Sequence, residues 1–441
     1  MRASRAEGPT RWVHNPGHRR WLADEAAALF SFFERNCVDP SGGFHPLDHR
    51  GLPRSVATRD LVQTARMVHC FSVADLLGRP DAARIVEHGL AYLRGPLRDD
   101  EHGGWHWTAS NGRVADPRKQ AYGHAFVLLA ASSALQAGFD GAQTLLDDAT
   151  AVLEDRFWSP EDGLYREEFS ADWQPVGTYR GGNSNMHMTE ALLAAYEATG
   201  DELYLERAKS VADRLINKLT RGNGWRLAEH YTGEWAVDAE YGRDDPRNTY
   251  RPFGSVVGHS PEWSRLLLCL AAADPDTNWY AYAARTLFDL TMPAAWDATG
   301  GGLAYTLDFT GAVLDDDHYQ WPISEAIGAA CLLGEAIGEQ VYEWWYRKLW
   351  RFAADQLLDR DNGGWHYVLG ADNVPKDIPG AAEGKPDLYH ALQSCLIPLF
   401  EPFKGVAAGA LAVATGHGLS PRFADADRLS QPMRETHDDA R

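Results

Sequence analysis

Apolar side chains recur at helical spacing along most of the chain, in segments joined alternately by short and long polar connections. The first segment carries Leu22, Ala26, Leu29 and Phe33. The second runs from Leu61 to Leu77 and stops at the turn 78–81, which is typical of one helix ending and another beginning. Similar stops follow at 138–141, 200–201, 274–275 and 338. The pattern predicts antiparallel helix pairs, with all the short turns at one end and all the long loops at the other.

A glycine followed by an aromatic residue or leucine marks each long connection. These glycines are Gly43, Gly104, Gly163, Gly224, Gly302 and Gly364, at spacings of 61, 59, 61, 78 and 62 residues. A short stretch with turn residues follows, such as 105–114, which predicts a small β-hairpin. Six repeats of this length indicate six helix pairs, which could stack as an open solenoid or close into a ring.

The second helix of each pair is the better candidate for an inner wall, because polar residues interrupt its apolar pattern. They are Arg66, His124, His187, Glu190, His259, Glu262, Glu325 and His390. In an open solenoid these groups could face solvent, whereas in a closed ring they converge on a pocket at the long-loop end. We predict an all-α fold, an (α/α)6 barrel of six helix hairpins with short β-hairpin loops at the active-site end. Residues 1–415 would form one catalytic domain, and residues 416–441 a polar, disordered tail.

The segment 251–265 closes a long polar loop with glycine and begins a helix with His259 in its first turn. Unpaired N–H groups at a helix start favour a neutral imidazole, which can accept a proton near pH 7. Glu262 follows three residues later, on an adjoining face. We interpret the segment as half of an acid/base site. Taken alone, it fits a buried structural histidine equally well.

A second cluster stands at the start of the third inner helix. Asn183, His187 and Glu190 place an amide, an imidazole and a carboxylate on one helical face. Burying such groups without partners is costly, which indicates a binding site.

Three other inner-wall residues suit contacts with a sugar. Arg66 could clamp hydroxyl groups or form an interhelical salt bridge, Tyr122 could donate to a ligand, and Trp321 could stack on a pyranose face. We expect His124 to be structural.

His259 and His390 belong to the fourth and sixth inner helices, and we expect them on nearly opposite walls of one cavity. Two imidazoles across a sugar carbon suit proton removal and return, worth about 10² to 10⁴ in rate for each positioned group. The carboxylates of Glu262, Glu325 and Asp387 leave open a glycoside hydrolase or lyase.

Composition and charge narrow the possible partners. Aromatic residues make up 11% of the chain, including 16 Trp, which allows a large core and provides ring surfaces suited to sugars. The net charge is −20 with no basic stripe, so we expect neither nucleic acid nor a membrane as partner. The N-terminal segment has no apolar run typical of a signal peptide, and the five cysteines are widely separated. We therefore expect a cytoplasmic protein with reduced cysteines, either monomer or homodimer.

Six motifs resemble the N-acylglucosamine 2-epimerase superfamily, and most closely its aldose–ketose isomerase branch, which includes mannose and sulfoquinovose isomerases. They are Arg19-Arg-Trp-Leu22, Thr64-Ala-Arg-Met-Val-His69, Arg180-Gly-Gly-Asn-Ser-Asn-Met-His187, Gly258-His-Ser-Pro-Glu-Trp263, Trp321-Pro-Ile-Ser-Glu325 and Asp387-Leu-Tyr-His390. Together they span the chain from about residue 12 to the Ala/Gly-rich segment at 406–415.

The resemblance implies the same barrel and a metal-independent aldose–ketose isomerase without cofactor, acting on the monosaccharides D-mannose and D-fructose, with D-lyxose and D-xylulose as a further candidate pair. His390 would remove the proton at C2 of the ring-opened sugar, and His259 would be the partner acid. A cis-enediol would then be reprotonated at C1. The resemblance also implies sugar contacts by five residues, Arg66, Tyr122, Asn183, His187 and Trp321. Glu262 would support a histidine or the ring-opening step.

Two alternatives keep the same site. A sugar 2-epimerase would return the proton to C2 from the other face of the enediol. A metal-dependent isomerase is suggested by the three-residue spacing of His187 from Glu190 and of His259 from Glu262.

Two departures from related enzymes bear on the substrate. Sulfosugar isomerases resemble one another in a Lys-Gln-Asp motif where this chain has Lys385-Pro386-Asp387, which favours an uncharged hexose. Cellobiose 2-epimerases carry paired tryptophans where this chain has Gln320-Trp321, which favours a monosaccharide pocket.

Overall fold

Twelve helices in two concentric rings form the barrel, in a computed structural model that describes residues 11–54, 58–248, 250–379 and 382–417. The inner helices are α2 (Leu61–Leu76), α4 (Ala121–Gln136), α6 (Gly182–Thr199), α8 (His259–Ala273), α10 (Gln320–Ile337) and α12 (Tyr389–Leu396). The outer helices are α1 (Pro16–Asn36), α3 (Ala82–Arg94), α5 (Ala142–Val152), α7 (Glu202–Ala212), α9 (Tyr280–Ala295) and α11 (Gln340–Phe352).

The inner ring is closed, because α12 packs against both α10 and α2. This confirms the (α/α)6 barrel and rejects the open solenoid. A thirteenth helix, α13 (Val406–Ala414), packs on α2, α4 and α6. Most of the expected polar tail, residues 418–441, lies outside the described residues. No helix in the described part of the chain is long and apolar enough to cross a membrane.

The six repeat glycines share a backbone conformation that explains the repeat. All have positive φ, between 65° and 100°, which favours glycine over residues with a side chain. In five of the six repeats, the residue after this glycine pairs with the segment that follows the outer helix: Val38 with Phe44, Arg98 with Trp105, Ser159 with Leu164, Trp296 with Leu303 and Leu358 with Trp365. The glycine thus reverses the chain as it leaves the outer helix.

Short strands link neighbouring repeats at the long-loop end. They are β1 (Thr58–Asp60), β2 (Thr108–Ser110), β3 (Arg113–Asp116), β4 (Lys119–Gln120), β5 (Trp158–Ser159), β6 (Leu164–Tyr165), β7 (Glu168–Phe169), β8 (Arg180–Gly181), β9 (His230–Tyr231), β10 (Ser255–Val256), β11 (Thr306–Leu307), β12 (Val313–Asp315), β13 (His318–Tyr319) and β14 (Val368–Leu369). The hairpin expected at 105–114 is β2–β3.

The pairing of these strands follows one rule around the ring. A strand just before an inner helix pairs with a strand in the loop of the next repeat, as in β1–β2, β4–β7, β8–β9, β10–β11 and β13–β14. The sixth link is a single antiparallel bridge between Leu47 and Lys385, which joins the last repeat to the first. The start of every inner helix is therefore held by a neighbouring loop, and these helix starts carry the candidate site.

Candidate functional site

The two candidate catalytic histidines stand on either side of one inner helix. His259 is the first residue of α8, His390 is the second of α12, and α10 lies between them in the ring. The prediction of nearly opposite walls was wrong, because two steps around a ring of six turn through only a third of the circle. The centroid of the Trp321 indole on α10 is 5.1 Å from the His259 ring and 5.7 Å from the His390 ring, so both imidazoles border one space.

His259 forms a buried pair with Glu229. Its Nδ1 lies 2.8 Å from Oε2 of Glu229, and the Val256 backbone N–H donates to Oε1 of the same carboxylate at 3.1 Å. With Nδ1–H donated to Glu229, Nε2 is the ring nitrogen of His259 left to exchange a proton with a substrate. Glu229 was not singled out from the sequence, since it belongs to an irregular loop with no helical spacing relative to His259.

His390 has a matching partner in Glu325. Its Nδ1 lies 2.8 Å from Oε1 of Glu325, whose Oε2 accepts from Arg265 Nε at 2.9 Å. Burial lowers the pKa of His390 below its usual value, against the opposing effect of Glu325. Burial also disfavours the Glu325 carboxylate, but Arg265 and His390 together hold its pKa below the ordinary range. The pair is therefore a neutral imidazole backed by a carboxylate.

Arg66 is held in place by four side chains. Its guanidinium donates to Asp387 and to Tyr122, each at 3.1 Å, and its carbon lies 4.4 Å and 4.7 Å from the ring centroids of Phe126 and Tyr389. The salt bridge considered from the sequence is present, to Asp387, two residues before the start of α12. It fixes the arginine beside the histidine-bearing turn.

His187 lies between two carboxyl groups without a close hydrogen bond to either. Its Nδ1 is 3.6 Å from Oε2 of Glu190 and 3.7 Å from Oε1 of Glu262, and among the described residues it has no hydrogen-bond partner. Burial lowers the pKa of His187 to about 4, so the ring is neutral near pH 7. Its ring centroid is 6.4 Å from that of His390, which places it in the same cluster.

Glu262 is fully buried, and neither of its oxygens has a hydrogen-bond partner in the described part of the chain. Burial, together with the nearby carboxylates of Glu325 and Glu190, raises its pKa well above the usual value. Glu262 does not contact His259 through a hydrogen bond; that position is taken by Glu229.

Asn183 is the second residue of α6, half-buried, and its Oδ1 is enclosed without a partner among the described residues. No described hydrogen bond connects it to the histidine pair. His124, expected to be structural, accepts from the Trp105 backbone N–H at 3.1 Å and lies 2.7 Å from the Gln120 carbonyl oxygen. Both of its ring nitrogens are thus used by the fold.

Acidic and imidazole groups are dense enough here to consider a metal. Donor atoms of Glu262, Glu325 and His390 lie within 4.8 Å of one another, as do those of His187, Glu190 and Glu262. Arg265, however, already donates to Glu325 and Glu190 from within the cluster. A guanidinium occupies the position where these carboxylates would face a cation.

Lys385, noted in the sequence for its place in a substrate-discriminating motif, has a structural partner. Its Nζ donates to Asp359 Oδ2 at 2.7 Å, and both side chains are buried. Asp387, two residues on, accepts from the Tyr389 N–H at 2.9 Å at the start of α12. The ion pair and this cap fix the turn that carries His390.

Comparison with known proteins agrees with this architecture. D-mannose isomerase from Thermobifida fusca is 44% identical over 408 residues, covering 91% of this chain and 99% of that protein. D-mannose isomerase from Pseudomonas cannabina pv. alisalensis is 42% identical, covering 91% and 97%. A crystal structure of D-mannose isomerase superposes with a TM-score of 0.82 at 34% identity, over 88% of this chain and 98% of the other. The N-acylglucosamine 2-epimerase (GlcNAc 2-epimerase) family model matches residues 42–394, and the chain belongs to that family.

Proposed function

We propose that this protein is an aldose–ketose isomerase that interconverts D-mannose and D-fructose, with His259 and His390 as the acid/base pair. The observation that carries the proposal is the pair of His–Glu contacts, each 2.8 Å, on either side of Trp321. The near full-length similarity to two D-mannose isomerases supports the choice of sugar.

The reaction moves one hydrogen from C2 to C1 and one from O2 to O1 of the open-chain sugar. Nε2 of His390 takes the C2 proton, the C2–H electron pair forms the C1–C2 double bond, and the C1=O pair moves to O1. O1 takes the Nε2 proton of His259, which enters this step protonated on both ring nitrogens. The resulting cis-enediol receives a proton at C1 from His390, while His259 takes the O2 proton. Each imidazole ends in the protonation state in which it began, so no further reactant is needed.

The carboxylate partners give this scheme its electrostatic basis. When Nε2 gains a proton, the imidazolium charge lies beside a carboxylate 2.8 Å from Nδ1. The hydrogen bond from Nδ1–H is made in both states, but the charge–charge attraction exists only in the imidazolium. At His390 that attraction develops as C2 is deprotonated, so it lowers the barrier rather than tightening substrate binding. Both rings are buried, which strengthens the effect.

The remaining predicted residues would bind and orient the sugar. We assign stacking to Trp321, which contacts both histidines, and hydroxyl contacts to Arg66, Tyr122, Asn183 and His187. The rigid setting of Arg66 suits this role, since little side-chain entropy is lost when a hydroxyl group binds. Glu262, whose Oε1 lies 3.7 Å from Nδ1 of His187, would support ring opening.

The deciding experiment is a product assay with D-mannose in heavy water. Because a proton held on His390 can exchange with solvent before it is returned, fructose carrying deuterium at C1 is the expected product. His259→Ala and His390→Ala should each abolish turnover while circular dichroism remains that of the folded protein. Glucose as the first product would instead establish a 2-epimerase. Release of a sugar from a glycoside without deuterium uptake would establish a hydrolase, and parallel assays with D-lyxose, glucose and sulfoquinovose would define the substrate range.

A further inference from the structure

Arg265 lies at the centre of a buried charge cluster contributed by three inner helices. Its guanidinium donates to Glu325 of α10 at 2.9 Å and to Glu190 of α6 at 3.0 Å. Glu262 of its own helix lies farther away, with Oε1 3.9 Å from Arg265 Nη2. The side chain of Arg265 is only 6% exposed, so water does not screen these contacts.

The three carboxyl groups do not share this single positive charge equally. Glu325 and Glu190 each accept a charge-assisted hydrogen bond from Arg265, and Glu190 also accepts from the Tyr389 hydroxyl. Glu262 has no hydrogen-bond partner for either oxygen among the described residues and no exposed surface. An ionised carboxylate without a partner is among the most costly groups to bury.

Among the residues that the structure describes, no other cation near Glu262 is available to balance a third negative charge. The groups that face Glu262 come from the other inner helices and are Arg66, Tyr122, His187, Glu190, Glu325 and the Tyr389–His390 pair. Arg66 is engaged by Asp387, and His187 and His390 are buried rings whose pKa values lie below the usual range.

We infer that Arg265 is a positioning residue that determines which carboxyl groups of this site are protonated. It keeps Glu325 and Glu190 ionised and leaves Glu262 as a neutral carboxylic acid. The consequence is two chemically different imidazoles in one cavity. His390 has a carboxylate 2.8 Å from Nδ1 and is a base, whereas Nδ1 of His187 lies 3.6 Å from ionised Glu190 and 3.7 Å from neutral Glu262, without a hydrogen bond to either. The inference rests on the proposed function for its catalytic meaning, but the proton assignment stands on the charge geometry alone.

The proton on Glu262 can be observed without measuring turnover. The infrared difference spectrum between the native protein and Glu262→Gln at pH 7 should contain the carbonyl stretch of one protonated carboxyl group, and Glu325→Gln should not remove it. Absence of that band in the native protein would mean that Glu262 is ionised, and the inference would be wrong even if mannose isomerisation were confirmed.

Activity then tests the role of Arg265 through charge balance. Arg265→Gln leaves three carboxyl groups without a cation, so we expect kcat to fall by about 100-fold or more, KM to change only a few-fold and the acid limb of the pH profile to move upward. Adding Glu190→Gln removes one carboxylate together with the cation, which restores the net charge of −1 with Glu325 ionised and Glu262 neutral, so the double variant should recover at least ten-fold over Arg265→Gln.

A purely structural role for Arg265 makes the opposite prediction. The double variant would then lose a second packing partner and be no more active than the single variant, which would overturn the inference. Arg285→Gln is the matched control, since Arg285 also bridges two carboxylates, Asp289 and Glu339, but on the exposed outer ring. Its kinetics and pH profile should match those of the native enzyme.

Discussion

Replacing Glu325 by glutamine tests the tautomer of His390 with almost no change of shape. Arg265 Nε donates to Oε2 of Glu325, so the amide oxygen of glutamine would take that position and its NH₂ group would face His390. An NH₂ group cannot accept from Nδ1–H, so it would donate to Nδ1 and move the imidazole proton to Nε2. The ring would then present a proton where the scheme needs a lone pair.

The size of the effect follows from losing both tautomer and carboxylate charge. Loss of the correct tautomer at a carboxylate–histidine pair costs on the order of 10⁴ in kcat, equivalent to about 5.5 kcal/mol in barrier height. Initial rates of fructose formation should show this loss with KM changed only a few-fold. Glu339→Gln, on the outer ring, should have native kinetics. A Glu325→Gln enzyme with more than a tenth of native kcat would refute the proposed role.

The equivalent change at Glu229 separates base from acid. The Val256 N–H donates to Oε1 of Glu229, so glutamine would again present its NH₂ group to the histidine, here His259. A ring with the proton on Nε2 can still donate to O1. Glu229→Gln should therefore lower kcat less than Glu325→Gln does, and it should retain more exchange of the C2 hydrogen with solvent. The reverse order would exchange the roles of the two histidines.

Three further changes test the packing around the site and the pH dependence of stability. Lys385→Met removes the cation from buried Asp359, which still accepts from Asp361 and Asn362, and should lower the free energy of unfolding in urea by about 3 kcal/mol. Lys385 and Asn362 together hold the pKa of Asp359 at about 2, so the contribution is present above about pH 4 and is lost as the pH falls towards 2. A variant with unchanged acid stability would contradict this. Gly258→Ala would place Cβ 2.2 Å from Cζ3 of Trp321, so the buried indole must move and kcat/KM should fall. Native kinetics would mean that the indole position is unimportant. Burial raises the pKa of Glu197 from 4.5 to about 7, so the contribution of this group to stability is greatest below pH 4.5 and is lost as the pH rises through 7. Glu197→Gln should remove this decline, on the order of 3 kcal/mol, and persistence of the decline would assign it to another group.

The architecture could be predicted from the sequence because its signals are local and repeated. Helical spacing, the short stops and six glycines at a near-constant period specify the helix pairs, and the positive φ of those glycines gives the repeat its physical cause. Ring closure followed less directly, from polar residues such as Arg66 inside otherwise apolar helices. A lone Arg66 does not reveal its partners, and the structure supplies Asp387 from the last repeat.

What the sequence could not provide were contacts between distant segments. Glu229 lies 30 residues before His259 in an irregular loop, and Glu325 lies 65 residues before His390, so no periodicity links either pair. The error about opposite walls has the same origin, since order along the chain does not show the angle between helices. In the sequence, Lys385 bore on the substrate only through its motif's comparison with related enzymes. Its buried contact with Asp359 is visible only in the three-dimensional structure.

The likeness of the two histidine pairs bears on how the family separates isomerisation from epimerisation. Each imidazole has one carboxylate 2.8 Å from Nδ1, and each carboxylate has a second donor on its other oxygen. Two bases built alike do not by themselves select C1 or C2 for the returning proton. The selection must depend on which carbon and which face of the enediol each Nε2 meets, and therefore on the residues that orient the sugar. Trp321, which contacts both rings, is the residue best placed to fix that orientation, so specificity for the product belongs to the binding wall and not to the acid/base pair.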